Sequence, residues 1–290
     1  MSETIALSQT RPFRPLVLAK LAAGAVIGVI LFFLILPTLI VIPISFGSAP
    51  YIEFPPSGLT LRWYGEYFSD PDWMAASFFS LRIAFFTTIS ATIIGTLAAV
   101  ALVRGDLPGK SLVLGLALSP LIVPHIIMAI ALYLFFAPLG LTGNFFGFLL
   151  AHTMLSVPYV VIAVSASLQR FDPVLEMAAL NCGASRGRAF FEIVLPQITP
   201  GVIAGAVFAF VASFDEATVA ILISGIEGKP ITRKLFEDID FNLTPVIAVV
   251  STIIVVISIL LMATIRLKTN FSREHQASRD RRRNREPGLP

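Results

Sequence analysis

The sequence predicts an all-α polytopic membrane protein, and three observations carry that prediction. Of its 290 residues 56% are hydrophobic and only 13% are charged, where a soluble globular domain carries about 25% charged residues. The mean hydropathy is +0.84. Uncharged stretches long enough to cross a bilayer, about 20 residues each, recur six times along the chain. Backbone groups in hydrocarbon must be paired within their own segment, so such stretches are helices.

The six expected spans are Leu21–Phe46, Ile83–Val103, Ser111–Ala137, Asn144–Leu168, Pro200–Gly225 and Leu243–Ile265. Pro37, Pro43, Pro120, Pro124 and Pro158 lie inside them, as membrane bundles tolerate. The first span follows Arg11, Arg14 and Lys20 as a signal peptide would, but its uncharged run exceeds a signal-peptide core and no small-residue cleavage site follows. It is read as a retained anchor. Orientation follows from Lys and Arg. With the N-terminus inside, sixteen of the 21 basic residues fall on the cytoplasmic side, and Arg62, Arg82, Lys229, Arg233 and Lys234 fall outside. Both termini are therefore expected in the cytoplasm.

Between the spans, Gly47 to Leu81 is rich in Pro, Gly and aromatic residues and reads as an interfacial segment on the outer face. The last residues given, "SRDRRRNREPGLP", are a charge run that reads first as a solvated tail that reinforces the topology, with contact to anionic headgroups as the alternative. No internal repeat is evident, so a pseudo-twofold path would need a second subunit. The expected division is 1–74 (tail, first span and outer loop), 75–264 (transport core) and 265–290 (basic tail).

The fourth connection is more than a turn: "LQRFDPVLEMAALNCGASRGRAFFEIVLPQITPG". Asp172 is placed to cap a helix with Pro173 at its first position. Gly183 accepts the positive φ that ends it, and a second short helix runs through Phe190, Phe191 and Val194 to Pro196. The small residues Ala178, Ala179, Gly183 and Ala184 leave this hairpin flat enough for another protein to approach.

This hairpin resembles the signature of the inner-membrane permeases of ABC importers, the binding-protein-dependent transport systems with the MetI-like fold. Their loop reads Glu-Ala-Ala, three residues, Gly, nine residues, Ile, one residue, Leu-Pro. Ala178, Ala179, Gly183, Ile193, Leu195 and Pro196 fall at those spacings; Met177 stands where the glutamate belongs, and Glu176 lies one place earlier. The resemblance covers about Ala75 to Thr264. "FDEATVAILISG" and "RKLFEDIDFNLTPVIAVVSTI" are most like permeases of spermidine/putrescine importers.

The resemblance implies a type I importer core in which the hairpin docks on a cytoplasmic ABC ATPase dimer. A second permease subunit would complete the pore, and an external substrate-binding protein would deliver the substrate. It also implies no chemistry and no cofactor in this chain, ATP being bound by the partner ATPase, and no nucleic acid as a partner.

Asp215 and Glu216 interrupt an otherwise uncharged run, and two carboxylates in hydrocarbon cost several kcal/mol. On one continuous helix from Pro200, Asp215 would lie about 22 Å along, with Glu216 turned about 100° from it. One reading has both acids line the translocation path and hold the ammonium groups of a polyamine, with aromatic walls from the chain's 24 phenylalanines. The other is structural: one acid pairs with Arg82, with Arg62 or with a second subunit.

Remaining motifs point elsewhere less well. "RGDLPGKS" nearly matches a phosphate-cradling loop but follows no strand. His125 and His152 are expected to bond backbone carbonyls, although His125 could meet substrate, and no ligand spacing suggests a metal. Cys182 is expected to be a small buried residue beside the turn. No Ser/His/Asp arrangement, HExxH or paired DxxD supports an intramembrane enzyme. The rival readings are a permease for another solute (an amino acid, another organic cation or an anion) and an ion-coupled secondary transporter.

Overall fold

A computed structural model describes residues 14–225, 228–241 and 243–260 of the chain. Arg11, Glu227, the expected end of the sixth span at Ile265, and the basic tail 265–290 lie outside these residues.

The described residues are helical: α1 (Arg14–Ser45), α2 (Arg62–Ser69), α3 (Pro71–Arg104), α4 (Lys110–Ile122), α5 (His125–Phe136), α6 (Phe145–Leu168), α7 (Pro173–Asn181), α8 (Arg186–Ala189), α9 (Leu195–Asp215), α10 (Thr218–Ile223) and α11 (Ile231–Phe241). A twelfth, α12, covers Val246–Leu260. A π-helical turn, Phe190–Val194, joins α8 to α9, so one helical rod runs from Arg186 to Asp215. Among the described residues four helices are long and apolar enough to cross a membrane, α1, α3, α6 and that rod, or five if α4 and α5 form one bent span. The second expected span begins earlier than its hydrophobic run, because Asp70 caps α3 through the N–H groups of Asp72 and Trp73, with Pro71 in the first turn.

The third expected span is not one helix. α4 and α5 meet at a 104° bend. Val123 is extended, as a residue before proline prefers, and Pro124 has no N–H with which to continue the α4 ladder. The fifth expected span is also cut short. α9 stops at Asp215, Glu216 is extended (φ −70°, ψ 106°), and α10 starts two residues later.

Three apolar clusters hold the bundle. Near the hairpin, α3, α6 and the rod pack through Ala91, Ala99, Val160, Val164, Val194 and Ile198. Close approach depends on absent side chains: a Cβ on Gly95 would lie 2.6 Å from Val160 Cβ, and one on Gly205 would lie 3.0 Å from Val160 Cα. Small residues do this work in lipid, where the hydrophobic effect no longer drives helices together. At the opposite end, α3, α5, α6 and α10 share Ile83, Leu132, Phe136, Phe148 and Val219. There α2, α3, α11 and α12 also enclose Trp63, Tyr67 and Trp73. Those aromatics are 2–4% exposed, so the segment before α3 is packed against α11 and α12. α1 stands apart over most of its length, exposed from Ala19 to Ile35, and is buried only at its end, where Ile44 and Ser45 pack and Ser45 shares a 2.9 Å hydrogen bond with the Tyr64 hydroxyl.

Candidate functional site

The two adjacent acids occupy different environments. Because Glu216 has left the helix, its carboxylate turns back to accept the N–H of Val219 at 3.0 Å, one of the orphan donors at the start of α10. The Glu216 carbonyl accepts the Thr232 hydroxyl at 3.2 Å, and the residue is buried. Its second carboxylate oxygen lies 3.6 Å from His125 Nδ1, too long for a hydrogen bond and an ion pair only when the ring is protonated. His125 is the first residue of α5, so the contact joins the two helix breaks. The expectation that the acids share one continuous helix is therefore corrected.

Asp215 is exposed. It is the last residue of α9, where unsatisfied carbonyls carry partial negative charge. Phe210 and Phe214 stack beside it with ring centroids 5.9 Å apart and planes 10° from parallel. Together with Val211 and with Ile254, Ile257 and Ser258 of α12, they line a cavity of about 220 Å³ that includes Asp215. This end of α9 combines a carboxylate, a helix C-terminus and aromatic faces, an arrangement that attracts a cation.

The basic residues considered as partners for the acids are engaged elsewhere. Arg62 Nε donates to Glu66 at 2.8 Å, and the Arg82 guanidinium lies 4.1 Å from the Phe145 ring centroid. Arg233 donates to the Ile221 carbonyl at 2.6 Å and to Glu237 at 2.9 Å, which fastens α11 over the end of α10. His152, also expected on a backbone carbonyl, instead shares a 2.9 Å hydrogen bond with the Ser213 hydroxyl, linking α6 to α9 one turn before the break.

The hairpin forms largely as its residues predict. Asp172 accepts the Val174 N–H at 2.9 Å, Pro173 opens α7, and Gly183 turns the chain with φ +89°. Met177 and Ala178 are exposed, and Ala179 and Ala184 partly so. The second arm does not end at Pro196. Ile193 and Leu195 are partly buried, Pro196 is exposed, and the helix continues through them into α9. Cys182 is exposed rather than buried. Glu176 binds within its own chain, to Arg104 at 2.6 Å. Among the described residues no three potential metal ligands converge.

Comparison with known proteins adds lineage to this geometry. Residues 91–268 match the family described as binding-protein-dependent transport system inner membrane component. The chain is 31% identical over 246 residues to the spermidine/putrescine transport system permease protein PotC of Haemophilus influenzae, covering 85% of this chain and 95% of that one. It is 32% identical over 229 residues to the putrescine transport system permease protein PotI of Escherichia coli, covering 77% and 81%. Among solved structures, a chain of a bacterial ABC transporter that imports the acidic polysaccharide alginate superposes with a TM-score of 0.69 at 16% identity, over 90% of this chain and 99% of that one. A chain of the alginate transporter in complex with a pentasaccharide-bound periplasmic protein gives 0.66 at 16% identity, over 91% and 98%. At these identities the superpositions speak to the fold alone.

Proposed function

This chain belongs to the inner-membrane components of binding-protein-dependent transport systems, and from that premise we propose that it forms half of the path of an ATP-driven polyamine importer. It is a multi-pass permease subunit and not an enzyme. The observation that carries the cationic substrate is Asp215, exposed at the C-terminal end of α9 beside the stacked Phe210 and Phe214. A polyamine presents ammonium groups along a flexible apolar chain. The carboxylate and the α9 carbonyls would take the charge while the phenylalanine faces and α12 take the methylenes. PotC and PotI, whose names specify spermidine and putrescine, favour the same class.

Coupling would run through the cytoplasmic hairpin. Val174 and Met177 are 58% and 54% exposed and, with exposed Ala178, give α7 a shallow apolar face suited to a groove on an ATPase. From Arg186 the rod is continuous for 30 residues to Asp215, about 45 Å at 1.5 Å per residue. A displacement of the hairpin by ATP-driven closure of the motor would therefore reach the acid as a rigid-body movement. A second permease subunit and a binding protein would complete the outer mouth.

The test is reconstitution of the chain with the second permease subunit, the ATPase and the binding protein in liposomes. Labelled spermidine should accumulate only with ATP, and putrescine should compete where glutamate does not. Uptake driven by a sodium or proton gradient without the ATPase would replace this reading with a secondary carrier.

A further inference from the structure

We infer that Arg104 is the positioning residue that fastens the coupling hairpin to α3, an inference that rests on reading α7 as the ATPase contact. Arg104 is the last residue of α3, where the helix's partial negative charge favours a cation. Its Nη1 lies 2.6 Å from a Glu176 carboxylate oxygen, and its Cζ lies 4.8 Å from the centroid of the Phe171 ring. One planar guanidinium thus grips both the segment entering α7 and the first turn of α7. Phe171 is anchored in turn among Leu168, Val194 and Ile198.

The direction of Glu176 decides its role. On α7 it lies about 200° around the axis from Val174, so the acid faces α3 while Val174 and Met177 face outward. The Arg104 and Glu176 side chains are only 24% and 25% exposed, which shields the pair from much of the screening that weakens surface ion pairs. Glu176 is therefore committed to its own chain, and the surface left for the motor at this turn is apolar. A push on α7 passes directly to α3 through the ion pair, and to α9 through the hairpin's second arm. Two of the long helices then move with the hairpin as a unit. Without Arg104, α7 could follow the motor while α3 stayed behind.

The experiment compares Arg104→Gln, Glu176→Gln and the reversed pair Arg104→Glu/Glu176→Arg in the complete importer in liposomes. Three readouts are taken: ATPase retained on purification, ATP hydrolysis, and labelled spermidine taken up per ATP. Each single variant should keep its ATPase and its hydrolysis but lose about five- to tenfold in uptake per ATP, the scale of a coupling contact. The reversed pair should recover at least half of that loss. Unchanged coupling in either single variant overturns the inference, as does an absence of recovery in the reversed pair. Loss of the ATPase from Glu176→Gln but not from Arg104→Gln also overturns it, since the acid would then touch the motor. The underlying reading is tested separately by Met177→Arg, which should shed the ATPase; retention there rejects α7 as the contact.

Discussion

The bundle contains two kinds of apolar helix. α3 and α6 run unbroken for 34 and 24 residues, while the pairs α4/α5 and α9/α10 are interrupted at mid-run. Proline does not separate them, since α6 carries Pro158 without breaking. What differs is the backbone at each break. At α9/α10 Glu216 is extended and its carboxylate accepts the Val219 N–H of the new helix; at α4/α5 Val123 is extended before Pro124. The unbroken pair instead packs closely through Gly95 and Val160. Under the proposed function, α3 and the rod that ends in α9 would carry displacement, and the end of α9 would offer its carbonyls and Asp215 to a cation.

The largest effect should come from wedging the unbroken pair apart. Gly95→Leu drives a side chain into Val160 and should cost about 3 kcal/mol, the upper range for overpacking, read as a lower thermal midpoint in detergent. If the midpoint holds, the α3–α6 contact is looser than its glycines imply. Next comes the open acid at the break. Asp215→Asn should leave the midpoint unchanged and reduce spermidine uptake about tenfold, the worth of one charge-assisted contact at about 1.5 kcal/mol.

Glu216 should behave as the opposite case. Glu216→Leu removes a helix cap and should cost about 1 kcal/mol of stability, while Glu216→Gln keeps an acceptor for Val219 and should transport nearly normally. A Glu216→Gln variant as defective as Asp215→Asn would erase the distinction between the two acids. The smallest effect concerns α11. Burial alone would raise the Glu237 carboxyl, but hydrogen bonds and charge from Lys229 and Arg233 outweigh it and hold it below its ordinary 4.5. A depressed carboxyl stabilises the fold above its unfolded pKa and loses that contribution as pH falls through the folded one. The packing of α11 should therefore loosen slightly below about pH 4.5, and Glu237→Gln should remove that dependence.

The hairpin was legible because its signals are local. A cap at Asp172, Pro173 behind it and a turn at Gly183 each act within a few residues. The breaks were not legible in the same way. Hydropathy reads Ser111–Ala137, and Pro200–Gly225 apart from its two acids, as apolar runs, and it does not register whether a helix continues. Val123–Pro124 carried a usable signal, since a residue before proline avoids helical geometry. The divergence of Asp215 and Glu216 depends on α10, α11 and α12 arriving from later in the chain, which no local pattern encodes. Cys182 is exposed for a related reason: it caps the end of α7, a helix with no buried residue, so nothing covers a small side chain there.

Accessibility at the break tests the central claim most directly. In a Cys182→Ser background, Asp215→Cys and Glu216→Cys would be exposed to a cationic thiol reagent with and without spermidine in the assembled importer. The thiol at 215 should react readily and be protected by spermidine, while the thiol at 216 should stay unreactive. An unreactive thiol at 215, or equal labelling of both positions that spermidine leaves unchanged, would contradict a cation path at the end of α9.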